Sequence, residues 1–201
     1  MKHLTFTLAT LLAPGLVLAQ ASAPAMQAPA PATAPAPPEA PKPALETKAL
    51  EFLAGDWIHD ETWTAAAAGT AGKAKGISRA QWILGDHVLQ ITYKANTSML
   101  GIVEARGFLR YDGEKKVYVF DWMTNRGSAI HMEGVLDGRA VVLQGERVLL
   151  GQPRKEKFTL TPQEDGSVLQ KIEVAGADGT FVPAVEGKIT PKPKAAEAPK
   201  Q

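Results

Sequence analysis

From Trp57 onward the chain alternates apolar and polar residues with a period of two, the spacing of strands that bury one face. Ten such runs are predicted as strands: 57–64, 76–84, 87–95, 102–111, 116–124, 128–136, 140–149, 155–161, 167–174 and 180–189. The breaks between them carry turn chemistry, including four Asp-Gly pairs at 112–113, 137–138, 165–166 and 178–179. Such pairs reach the positive φ angles that tight hairpins need. Ahead of the strands, Leu45, Ala49, Leu50 and Leu53 fall at helical spacing before Gly55, which predicts a short N-terminal helix or turn. Ten short strands with no helix between them define an all-β chain folded as an antiparallel meander. Closing it into an up-and-down barrel buries one face and removes both sheet edges. A two-sheet sandwich is the alternative.

The alternation also assigns faces. His87, Leu89, Ile91 and Tyr93 share one side of the third strand, and Tyr118, Phe120 and Trp122 one side of the fifth. Ala80, Trp82 and Leu84 group on the second strand, Ile130, Met132 and Leu136 on the sixth, and Trp57, His59, Glu61 and Trp63 on the first. These sets are expected to face inward. A ten-stranded barrel is wider than the eight-stranded one whose side chains just fill it. The choice is therefore between a filled aromatic core and a lumen, lined by Trp57, Trp63, Trp82, Tyr93, Phe120, Trp122 and Met132, that takes a flat or aliphatic small molecule.

Composition divides the chain of 201 residues into segments. Of its 15 prolines, one is Pro14, eight lie between Pro24 and Pro43 and three after residue 190, leaving Pro153, Pro162 and Pro183 for the strands. Residues 1–19 combine Lys2, an apolar stretch broken by Pro14 and Gly15, and small residues at Val17 and Ala19. That is the layout of a secretory signal peptide cleaved after Ala19, too short and broken for a membrane span. Residues 20–44 form a Pro/Ala-rich linker without helix or ladder, and 191–201 a short disordered tail with added lysines. The folded domain is 45–190, and the address is periplasmic or secreted. With Lys2 removed, basic and acidic residues are equal in number, so no nucleic-acid partner is implied. The absence of Cys excludes disulfides, thiolate metal sites and a cysteine nucleophile.

Candidate chemistry is sparse. His59 and Glu61, and likewise His131 and Glu133, are two apart and share a strand face, as a metal site or acid–base pair requires. His131 and Glu133 lie opposite Ile130 and Met132 and are expected to face solvent. His59 and Glu61 point inward with the tryptophans, where each can satisfy the other. His87, at a strand start, can reach the barrel mouth. No phosphate loop, dinucleotide fingerprint, zinc-protease motif or nucleophile elbow occurs, and no metal or cofactor is suggested.

Leu50-Glu51-Phe52-Leu53-Ala54-Gly55-Asp56-Trp57 resembles the L-x-x-L-x-G-x-W opening of lipocalin-like barrels. Residues 80–85, 107–112 and Glu133-Gly134 then follow in an order similar to that of an uncharacterised, often exported bacterial family of lipocalin-like, calycin-type domains. The resemblance covers most of 48–150 and implies a barrel without assigned activity. The family's W-x-D reads Trp122-Met123-Thr124 here, and the Gly expected before Tyr-Asp is Arg110. The opening motif also resembles haem-binding barrels of the nitrobindin type, whose axial His lies near the C-terminus. This chain has no His after His131.

The expected function is non-catalytic binding of a small apolar or aromatic ligand inside the barrel. Two alternatives are an envelope-associated module that contacts envelope polymers through its flexible arms, and a barrel enzyme using His59 and Glu61.

Overall fold

The computed structural model describes residues 41–149 and 151–193. The expected signal segment 1–19, most of the expected 20–44 linker and the end of the expected 191–201 tail lie outside the described residues.

All ten strands form, and they close into a single antiparallel barrel in which every strand pairs with its sequence neighbours and β1 pairs with β10. They are β1 (Gly55–Trp63), β2 (Gly72–Ile83), β3 (Val88–Thr97), β4 (Gly101–Asp112), β5 (Val117–Thr124), β6 (Ala129–Asp137), β7 (Ala140–Leu149), β8 (Gln152–Pro162), β9 (Val168–Ala175) and β10 (Phe181–Pro191). The sandwich alternative is therefore excluded. β2 and β8 start four and three residues earlier than expected. A four-residue helix, α2 (Ala65–Ala68), sits in the β1–β2 connection. Its alanines carry helix propensity, and the Thr64 hydroxyl caps it by accepting from the Ala66 amide at 3.2 Å.

Turn chemistry works mostly as the sequence implies. Gly138 and Gly179 take φ of 60° and 82°. The Asp112-Gly113 turn departs from this. Its left-handed residue is Lys116 (φ 58°), because the Asp112 carboxylate folds a longer loop by accepting from the Glu114 and Lys115 amides, each at 3.1 Å. Pro183 is accommodated at a register shift in β10 between Pro183 and Val185, a place where a missing donor is tolerated.

The N-terminal element is two pieces, α1 (Leu45–Lys48) and a 3₁₀ turn (Glu51–Leu53). Together they cover one end of the barrel. Leu50 and Leu53 are buried there in the same cluster as Leu89, Leu109, Val141, Leu143, Leu160 and Val168. Two hydrogen bonds hold the lid by its backbone carbonyls: Trp57 Nε1 donates to the Leu53 carbonyl at 2.8 Å and the Tyr118 hydroxyl to the Glu46 carbonyl at 2.9 Å. Near the opposite end, Ala66 of α2 and Trp63 pack on a smaller cluster of Val174, Ala184 and Val185.

Two expected inward residues sit elsewhere. Leu84 belongs to the β2–β3 turn, at φ 53° and 73% exposed. Leu136, at the end of β6, is also exposed. Conversely Val119 is buried on the outer face, flanked in register by Arg110 and Glu133, whose aliphatic stems can cover it.

Candidate functional site

The lumen encloses a cavity of about 170 Å³. It runs from Leu53 and Trp57 near the covered end to Trp63, Arg147 and Val185 towards the other. Small residues on the inner face make the room. Gly107 is the clearest case, since any side chain there would collide with the rings of Phe120 and Trp122. Those rings belong to a continuous aromatic wall. Tyr93 and Trp122 have centroids 5.8 Å apart, Phe120 and Trp122 5.5 Å, and Phe120 and Phe158 5.7 Å, within the range of favourable tilted contacts.

One part of the lining is polar, and β1 builds most of it. Strand alternation sends Trp57, His59, Glu61 and Trp63 inward together. Glu61 is the hub. Trp63 Nε1 donates to Oε2 at 2.8 Å, the Tyr93 hydroxyl reaches both carboxylate oxygens at 3.1 Å, and Gln170 Nε2 donates to Oε1 at 3.4 Å. A carboxylate with 3% of its side chain exposed needs such a set of donors to persist away from water. His59 Nδ1 stands 3.3 Å from Glu61 Oε1, while Nε2 is 2.8 Å from Ser78 Oγ. The His59 and Tyr93 rings meet edge-on at 5.1 Å. Burial, reinforced by the neighbouring Glu61, pushes the Tyr93 hydroxyl well above its usual range, which keeps it a proton donor.

A second polar pair lies on β7 and β8, where Arg147 Nε and Glu156 Oε2 are 2.7 Å apart and both residues line the cavity. The distance is that of an ion pair, but the N–H is not aligned along it. Arg147 Nε and Glu156 Oε2 are consequently buried without a hydrogen bond among the described residues, as is, separately, His59 Nδ1 beside Glu61. Burial raises the Glu156 carboxyl above its ordinary value, against the pull of Arg147.

Eight of the ten residues that the sequence singles out line the cavity: Trp57, His59, Glu61, Trp63, Tyr93, Phe120, Trp122 and Met132. Trp82 and His87 do not. Trp82 Nε1 donates to Glu51 of the N-terminal lid at 2.8 Å, and His87 Nε2 lies 2.9 Å from the Pro41 carbonyl. His131 and Glu133 are on the outer face, in a chain with Asp121 and Lys115. The Asp121 carboxylate, 2.7 Å from His131, raises that imidazole above its usual value. Sequence reading missed Ser78, Arg147, Glu156, Phe158 and Gln170. A signal existed, since Arg147 is in phase with Val141 and Leu143, and Glu156 with Phe158 and Leu160.

The Ser78, His59 and Glu61 contacts are ordered like a nucleophile relay, but their setting differs from one. Ser78 sits within β2, paired with Trp57 on one side and Tyr93 on the other, so the amides around it belong to the ladders. An acyl-transfer site needs free donors aimed at the developing oxyanion. Among the described residues no group of three or more His, Asp or Glu side chains is placed to hold a metal ion.

Residues 42–190 match a family model described as "Protein of unknown function (DUF1579)". No curated protein matches the chain. Among solved structures, it is similar to a de novo designed fluorescence-activating β-barrel, at 14% identity over 72% of this chain and 97% of that one, with a TM-score of 0.40. It is also similar to EF1p2_mFAP2b bound to DFHBI, at 12% identity over 73% and 99%, with a TM-score of 0.41. The S-type phycobiliprotein lyase CPES from Guillardia theta is 8% identical over 76% and 100%, with a TM-score of 0.49.

Proposed function

We propose, from the premise that the chain belongs to the DUF1579 family of proteins of unknown function, that this barrel binds a small, ring-sized apolar or aromatic molecule in its lumen without transforming it. The observation that carries this is the cavity of about 170 Å³ walled by Trp57, Trp63, Tyr93, Phe120, Trp122 and Phe158. A cavity of about 150 Å³ is enough to hold benzene in another protein. A ligand of one ring, or one ring with a short substituent, matches in size and gains dispersion contacts from every wall. The signal-like residues 1–19 support action after export, in the periplasm or outside the cell.

Three of the four tryptophans line the cavity, so binding has a built-in reporter. Titrating the protein with toluene is expected to change tryptophan fluorescence saturably, and native mass spectrometry of freshly purified protein to reveal a small co-purified mass. An unresponsive spectrum together with a ligand-free mass sinks the proposal.

A second reading, a small-ester hydrolase, is favoured by the order of the Ser78, His59 and Glu61 contacts. Its test is phenyl acetate turnover that Ser78→Ala abolishes; turnover indifferent to that change excludes it. The envelope-module reading rests on the arms, and deleting 20–44 and 191–201 separates it from luminal binding.

A further inference from the structure

We infer that the Arg147–Glu156 pair is the polar seat of the lumen and that it selects a neutral ring bearing a hydroxyl. This deepens the luminal-binding proposal and rests on it.

The pair's geometry is the first ground. Arg147 and Glu156 are brought together from adjacent strands with side chains 20% and 5% exposed, and both line the cavity. Their 2.7 Å contact leaves Arg147 Nε without an acceptor and Glu156 Oε2 without a donor among the described residues. Buried polar atoms in folded proteins are nearly always hydrogen-bonded, so a pair left in this state, facing a cavity, is primed for a third group. That group has to accept from a guanidinium and donate to a carboxylate. A hydroxyl does both with one oxygen.

Charge narrows the class further. The cavity lining contributes two carboxyl groups, Glu61 and Glu156, against the single guanidinium of Arg147, with His59 beside Glu61. Glu61 is already occupied by Tyr93, Trp63 and Gln170. An anionic ligand would meet two carboxyl groups at low dielectric, and a cationic one would face Arg147 where it needs Glu156. A neutral hydroxyl disturbs neither balance. The rest of the ligand is set by Phe120, Trp122, Met132 and Phe158, whose rings and thioether offer mainly apolar and π contacts.

The test is calorimetric titration of the whole protein, and of the paired variant R147M/E156L, with toluene, phenol, benzoate and benzylammonium. Replacing both partners avoids stranding one buried charge. Toluene is expected to bind both proteins, and its binding to the variant reports an intact lumen. The phenol-to-toluene affinity ratio is expected to be about tenfold higher in the unmodified protein than in the variant, the worth of one good hydrogen bond. Benzoate and benzylammonium are expected to bind more weakly than phenol. An unchanged ratio, or tighter binding of either charged probe, overturns the inference and leaves luminal binding standing. Failure of all four probes on the unmodified protein overturns the luminal-binding reading itself and the inference with it. Should R147M/E156L not fold, E156Q takes its place, with a severalfold fall in the ratio expected and an unchanged ratio again overturning the inference.

Discussion

Glu61 on β1 lies directly opposite Gly187 on β10, and the missing side chain of Gly187 is what leaves room for the carboxylate. A Cβ at position 187 would stand 3.0 Å from Glu61 Cγ and 3.1 Å from the Asp60 carbonyl oxygen. The partner on the other flank, Ala74, is also small. A buried hub is thus seated between two minimal residues, a pairing that exists only because the barrel closes.

Gly187→Ala is expected to lower stability by about 1 kcal/mol, the low end of overpacking costs, because Glu61 must shift by a few tenths of an ångström. Gly187→Leu is expected to cost several times as much. Urea unfolding followed by tryptophan fluorescence measures both, and an unchanged midpoint for the leucine variant contradicts the crowding described.

Removing the hub itself strands its donors. Glu61→Leu leaves the Trp63 indole and the Tyr93 hydroxyl without an acceptor, with an expected loss of about 3 kcal/mol. Glu61→Gln keeps an acceptor oxygen and is expected to cost about 1 kcal/mol. Equal losses for the two variants would show that volume, not hydrogen bonding, governs the position.

Two carboxyl groups give stability opposite pH dependences. Lys188 and the Ser167 hydroxyl and amide hold Asp165 well below the usual carboxylate range. Its contribution is therefore present above the ordinary carboxylate value and fades as pH falls through the lower folded value. Glu156 is raised by burial, so the folded state holds its proton more tightly. Its contribution is largest at low pH and declines as pH rises from the ordinary value through the raised one. Unfolding midpoints measured against pH should show a shallower acid limb for Asp165→Asn. Glu156→Gln should remove a decline on the other side. The reverse pattern refutes the assignment.

The strands were legible because alternation and Asp-Gly turns are local signals, and all ten appear within a few residues of their expected bounds. The partnership of β1 with β10 is not local, so the Glu61–Gly187 relationship had no signature in the sequence. The luminal members of β1, Tyr93, Phe120, Trp122 and Met132 followed from strand phase. Trp82 and His87 shared that phase and still lie outside the cavity, because the N-terminal lid binds Trp82 through Glu51 and Pro41 engages His87. Arg147 and Glu156 escaped for a different reason. A charged side chain on an apolar face reads as a strand end unless its partner is known, and the partner here comes from the next strand.

The most direct test of luminal binding is a crystal of the protein soaked in bromobenzene, with the bromine located by anomalous scattering. The expected result is a bromine site inside the barrel, in contact with Phe120, Trp122 and Phe158. Crystals that diffract after the soak but hold bromine only on the outer surface, with the aromatic wall closed upon itself, would contradict it.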